Sequence, residues 1–153
     1  MRDTFSERKS DMSIAELGGF FSILVFWHFV ADWIFQSHDE AMKKSKNHEI
    51  RAIHCMIYTI CFFPLLCVLP LTTTQLLISV AILFFSHFIE DTYVPVMLWA
   101  KHIRKAPEFN WHDRDEDAFI AFASTPLGKI LAIVVDQLVH IAFLLPIAYM
   151  AAQ

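Results

Sequence analysis

The chain is poor in glycine, has no excess of basic residues, and carries no lysine or arginine within the core of its long apolar runs. Three glycines in 153 residues accompany an absence of internal repeats and low-complexity segments. A formal net charge of −4 argues against a basic surface and so against nucleic acid as a partner. The three cysteines, Cys55, Cys61 and Cys67, are odd in number and six residues apart, which sets successive thiols on different helix faces. That excludes a disulfide framework or a zinc knuckle. Short apolar–polar alternations are missing in favour of long runs, which points to a membrane protein, and no nucleophilic serine or cysteine motif stands out.

What the chain has is apolar length. Hydrophobic residues make up 56% of it, with fifteen phenylalanines. Four runs, at about 17–36, 52–71, 75–100 and 127–151, are each long enough to cross roughly 30 Å of hydrocarbon as a helix. Backbone groups in lipid must be satisfied internally, so helices are the expected form. The first run is too long for a signal-peptide core and lacks a small-x-small cleavage site, so it is expected to remain as a span. The expected fold class is all-α, an integral membrane four-helix bundle. Its parts are a polar tail at 1–15 and one four-span domain at 16–153.

Pro95 is expected to tilt or kink the third span, and Pro64, Pro70 and Pro146 to bend or end theirs. Thr125 and Pro126 form a cap and first turn for the fourth. The connection at 72–74 is short enough for a tight hairpin. The connections at 37–51 and 101–126 are polar. The second includes a solvated run at Asp113–Asp117, followed by AFIAFA, which suits a short amphipathic piece at the interface. Lys43, Lys44, Lys46, Arg51, Lys101, Arg104, Lys105 and Arg114 fall in these two connections, with Lys129 just beyond; Arg2, Arg8 and Lys9 lie on the other side. The asymmetry places both connections in the cytoplasm and both termini outside. Trp27, Trp33, Tyr93 and Trp99 read as core or interface aromatics. His38, His48, His102 and His112 read as loop histidines at the surface.

The spans nevertheless carry acids and imidazoles. His28 and Asp32 are four residues apart, as are His87 and Asp91; Asp136 and His140 repeat the spacing in reverse. His54 lies in the second run, and Glu90 adjoins Asp91. A spacing of four sets two side chains on one helix face, where both can reach one ion. The fourth span runs opposite to the first and third, so the reversed order keeps each aspartate nearer the cytoplasm. The pairs are then expected in the inner half of the bilayer or near its midplane.

Each buried acid costs about 2.5–3.5 kcal/mol on insertion scales, so four uncompensated acids approach or exceed about 10 kcal/mol. That rivals the whole stability of a typical domain, about 5–15 kcal/mol. Without a basic residue in the spans, histidine or a bound cation has to balance Asp32, Glu90, Asp91 and Asp136. The ligand pool is His28, Asp32, His54, His87, Asp91, Asp136 and His140, which suits a two-metal centre or one metal with Asp-held histidines. Zinc is the expected ion, in one or two copies. Glu90 is the candidate general base, and Glu90 and Asp91 are the candidate catalytic pair. Gln36, Gln137 and Tyr58 extend the polar faces beside the ligands. His–Asp pairs that neutralise one another without metal are the alternative.

The order HFVADWIFQ, KSKN, RAIHCMIY, SHFIED and DQLVHI resembles a family of small bacterial membrane proteins, domain of unknown function family 3307. The resemblance runs from His28 to His140 and includes Gln36 and Gln137. It implies a bacterial inner-membrane location but no established activity, and it is distantly similar to membrane-bound metal-dependent hydrolases. The function expected is a metal-dependent hydrolase acting on a lipid-linked or amphiphilic substrate. The alternatives are a haem-binding or electron-transfer subunit, or a non-enzymatic subunit with membrane-protein partners.

Overall fold

The computed structural model describes residues 13–105 and 115–153. Residues 1–12, most of the expected polar tail, lie outside the described residues, as do His112, Asp113 and Arg114. Every regular element among the described residues is helical. In chain order these are α1 (Ile14–Phe29), α2 (His38–Lys43), α3 (His48–Val68), α4 (Thr73–Glu90), α5 (Val94–Trp99), α6 (Asp115–Ser124), α7 (Pro126–Ala142) and α8 (Leu145–Ala151). A wide π-type turn, Val30–Ile34, extends α1, and another, Ala100–Arg104, extends α5.

Four stretches are long and apolar enough to cross a membrane: Ile14–Ile34, His48–Val68, Thr73–Glu90 and Pro126–Ala151. Many large apolar side chains along them face outward. Phe26 is 64% exposed, Phe85 63% and Ile130 61%, an outward apolar surface consistent with helices that span a membrane.

Local signals start and stop these helices. Ser13 caps α1 and Thr72 caps α4, each closing a capping box with Glu16 and Gln75. The Thr125 hydroxyl accepts the Gly128 amide at 3.0 Å, and Pro126 opens α7, as expected. Gly128 is obligatory at this corner, because a β-carbon there would sit 2.0 Å from the Phe122 carbonyl oxygen. Helices α3 and α4 form the expected hairpin, turning through Leu69–Thr72, with Pro70 in the turn. Pro64 is carried inside α3, and Pro146 lies in the first turn of α8. The fourth span breaks at Phe143–Leu144 between α7 and α8.

The third span departs from expectation. It does not continue through Pro95 as one long helix. Helix α4 ends at Glu90, Asp91 forms its C-cap, and Tyr93 adopts a left-handed conformation with φ 60°. Pro95 then starts the separate helix α5, where its fixed φ and missing N–H suit the first turn. Asp91 therefore stands at a helix end and not in the middle of a span.

The bundle interior divides into two halves. Leu24, Phe62, Leu66, Leu83, Leu144, Ile147 and Ala148 form an apolar core in one half. The other half holds the C-terminal ends of α1 and α4 and the N-terminal part of α3, with α7 alongside. It lies toward the end where the two polar connections enter. The α1–α3 contact is pinned by the Trp27 indole N–H, which donates to the Cys61 carbonyl at 2.7 Å. In the second connection, AFIAFA falls in α6, which buries Ala118 and Phe122 and exposes Glu116 and Asp117, but Ile120 and Ala121 are exposed too, so the division into polar and apolar faces is only partial.

Candidate metal centre

His28, Asp32, His54, His87, Glu90, Asp91 and His140 are all buried in the polar half of the bundle. Asp136 stands beside them, its side chain 16% exposed. Four helical segments contribute, so every expected site residue arrives in one neighbourhood.

The tightest grouping has four donor atoms. Nε2 of His54 and Nε2 of His87 are 2.9 Å apart. Asp32 Oδ1 is 3.1 Å from the first and 3.5 Å from the second. Asp91 Oδ2 is 3.5 Å from both. Four ligands held about 2.0–2.2 Å from a single zinc in tetrahedral geometry stand about 3.3–3.6 Å from one another. The separations fall within a few tenths of an ångström of that spacing, and two carboxylates with two imidazoles are a hard-to-borderline donor set. Asp32–His54–His87 and His87–Asp91–His140 are both compact enough to hold a metal ion, and they share His87.

His140 forms the second side of the site. Its Nε2 is 3.3 Å from Glu90 Oε2 and 3.7 Å from Asp91 Oδ1. Its Nδ1–H donates to the Asp136 carbonyl at 2.8 Å, which leaves Nε2 pointing at the acids. Buried polar atoms rarely lack hydrogen-bond partners. Glu90 Oε1, Asp91 Oδ2, Asp136 Oδ1 and His140 Nε2 all do, and all belong to this cluster.

The pair in the first span parts. His28 and Asp32 do not turn to a common partner. The π-type turn that begins at Val30 redirects Asp32 toward His54 and His87. His28 is engaged instead by the Tyr58 hydroxyl at 3.0 Å on Nδ1 and by Gln137 Oε1 at 3.1 Å on Nε2. Wide turns of this kind recur where a helix must re-aim a functional side chain. Tyr58 also stacks on His87, with ring centroids 3.9 Å apart. The Gln36 amide lies 3.2 Å from His54 Nδ1, and Gln137 donates to Asp136 Oδ2 at 3.2 Å. All three polar neighbours picked out by spacing thus touch the cluster.

One residue of the cluster escapes the reading by spacing. Lys44, expected as an exposed loop charge, is buried. Its ammonium lies 2.8 Å from Asp91 Oδ1, 3.5 Å from Asp32 Oδ1 and 3.3 Å from His54 Nε2. The expectation that the acids have no basic neighbour is therefore corrected: the connection supplies one. Ser37 and Glu40 close a capping box that folds the connection into α2, and Asn47 caps α3, so the chain between them turns Lys44 inward. Arg51, also buried, clamps the segment by donating to the Lys44 and Ser45 carbonyls at 3.2 and 3.1 Å, while its guanidinium lies over the Phe88 ring. Burial works against the Lys44 charge, but the carboxylates of Asp32 and Asp91 outweigh it and hold the ammonium above its ordinary pKa. One lysine set against four carboxylates leaves most of the negative charge uncompensated.

A cleft of about 710 Å³ lies at this end of the bundle. Its wall includes Ser45 and Lys46, which follow Lys44, and Thr92 and Tyr93, which follow Asp91; Met97 and Phe119 add apolar surface.

The sequence profile of a family described as protein of unknown function, DUF3307, matches residues 20–153. The match takes in all four candidate spans almost completely and every residue of the cluster. No curated protein and no solved structure matches the chain. The buried histidine–carboxylate cluster thus lies wholly within the matched region, and the chain belongs to the DUF3307 family.

Proposed function

We propose that this chain is an integral membrane metal-binding protein and, in its activity, a metal-dependent hydrolase of a lipid-linked or amphiphilic substrate. The observation that carries the reading is the convergence of Asp32 Oδ1 and Asp91 Oδ2, at 3.1–3.5 Å, on the His54 and His87 Nε2 atoms, which are themselves 2.9 Å apart. Four lone-pair donors this close in a buried interior repel unless a proton or a cation lies among them. A divalent ion, zinc by its ligand preferences, satisfies them together.

A bound metal of this kind supplies Lewis acidity and lowers the pKa of a coordinated water. The chain's own groups would do the rest. Glu90 Oε1 is buried without a partner, so it is free to take a proton. Tyr58 and Asp136 fix the rings of His87 and His140, by stacking and by the backbone carbonyl. The adjoining cleft is lined by both charged residues, Lys46 and Glu116, and apolar ones, Met97, Phe119 and Ile120, which suits a substrate with a polar head and an apolar body. The cleft is lined by the two polar connections, α5 and α6, at the end of the four apolar helices, and in this reading that end is the cytoplasmic side, where a lipid-linked substrate could enter from the bilayer.

The haem reading gains no support from this geometry. His54 and His87 present their Nε2 atoms side by side, 2.9 Å apart, and not across the gap that a porphyrin would need. Elemental analysis of detergent-purified protein, wild type beside His87→Ala, tests the proposal. Stoichiometric metal in the wild type, lost in the variant, is the expected result; substoichiometric metal in both would end the metal reading.

A further inference from the structure

We propose that Lys44 takes the place of a second metal, so that the centre holds one divalent ion with a resident ammonium beside it. This rests on the metal reading above and decides how many ions the centre takes.

Two-metal hydrolases hold their ions about 3.5–4 Å apart and commonly share a carboxylate between them. Asp91 has the disposition of such a shared ligand. Its Oδ2 lies 3.5 Å from the His54 and His87 nitrogens, and its Oδ1 lies 3.7 Å from His140 Nε2. At Oδ1, where a second ion would bind, the Lys44 ammonium is 2.8 Å away. The same ammonium is 3.5 Å from Asp32 Oδ1, the other carboxylate of the donor quartet. It therefore spans both acids from one side, as a second cation would.

The placement is built and not incidental. Lys44 is 7% exposed. Its backbone carbonyl accepts from Arg51 at 3.2 Å, and the capped helix α2 stands immediately before it. A long, flexible side chain loses rotamer freedom when fixed inside a protein, so the surrounding contacts must hold it there. Charge counting agrees. One divalent ion and one ammonium offset three of the four carboxylates Asp32, Glu90, Asp91 and Asp136. His140 Nε2 lies 3.3 Å from Glu90 Oε2, beside the fourth. A second divalent ion would have to displace the ammonium from Asp91 Oδ1. The role fits a hydrolase: a fixed positive group beside a bound metal would stabilise negative charge developing on a substrate oxygen.

The test is a titration of metal-stripped, detergent-purified protein with cobalt(II), read by its visible d–d spectrum and by elemental analysis after desalting. Wild type is expected to take one equivalent and Lys44→Met two, whereas Lys44→Arg stays at one. Two equivalents in the wild type, or one in Lys44→Met, would overturn the assignment. No metal in any protein would overturn the underlying metal reading itself, a distinct result. Should Lys44→Met fail to fold, the wild-type stoichiometry still decides. Arg51→Gln, which loosens the segment but leaves the Lys44 ammonium, should then take up part of a second equivalent that wild type does not; an unchanged one-equivalent titration counts against the proposal.

Discussion

Nε2 of His54 and Nε2 of His87 stand 2.9 Å apart, each on a different helix and each sealed from solvent. One shared proton can satisfy that contact, but then neither ring serves Asp32 and Asp91 fully. A divalent ion serves all four groups. Metal binding should therefore stabilise the folded protein by mass action. At free zinc about 1,000-fold above its dissociation constant the gain is about 4 kcal/mol. Thermal unfolding in detergent, with zinc and with chelator, should show this increment in wild type and lose it in His54→Ala. An equal zinc response in the variant would place the binding elsewhere.

Tyr58 does two things at once, stacking on His87 and reaching His28 Nδ1 at 3.0 Å. Tyr58→Phe keeps the stack and removes the hydroxyl. It leaves a buried ring nitrogen unpaired, at a cost of about 1–3 kcal/mol. Metal affinity should change much less than in His54→Ala, since His28 stands outside the converging donors. Unfolding temperature and metal titration, measured on the same preparation, separate the two effects.

Lys43 and Lys44 are adjacent in sequence and opposite in environment. The Lys43 side chain is 57% exposed, that of Lys44 9%. The Lys44 pKa is raised, because Asp32 and Asp91 outweigh the cost of burial. By linkage, the attraction is fully present below the unfolded lysine value, about 10.4, and fades only as pH climbs through the higher folded value. An amine-acylating reagent at pH 9 should therefore modify Lys43 at least tenfold faster than Lys44. Peptide mapping by mass spectrometry reads the ratio, and comparable rates would contradict the buried ion pair.

Gly128 offers a test of the architecture away from the site. An alanine in its place would bring a β-carbon to 2.0 Å from the Phe122 carbonyl oxygen, and no rotamer change relieves a clash with backbone. Gly128→Ala should cost at least about 1–3 kcal/mol, the ordinary penalty of overpacking. It should also separate α6 from α7. Protease sensitivity between Asp115 and Thr125, beside the unfolding temperature, would register both.

The helices, the α3–α4 hairpin, the Thr125 cap and the meeting of the site residues are legible in the sequence, because each follows from local chemistry. Apolar length defines a span, and a polar side chain inside one must find company. The exceptions have a shared cause. Spacing of four assumes a regular helix, and the π-type turn at Val30–Ile34 breaks that assumption between His28 and Asp32. The run through Pro95 reads as continuous because hydropathy does not register a reversal of three residues. Lys44 is hidden because a loop's fold is not written in its hydrophobicity. The one usable sign is Ser37 with Glu40 three residues on, a capping box that announces a helix inside a connection whose composition reads as irregular.

Glu90 and Asp91 are neighbours in sequence, and both are buried against the same cluster. They follow His87 by three and four residues, so both flank its face of the helix. Asp91 keeps helical backbone and donates its N–H to the His87 carbonyl at 3.0 Å, so the two acids leave the same last turn. The reversal at Thr92 and Tyr93 decides something else. By ending α4 at that turn it turns the following residues into the lining of the adjacent cleft, so the doorway to the acids is cut by the helix terminus itself.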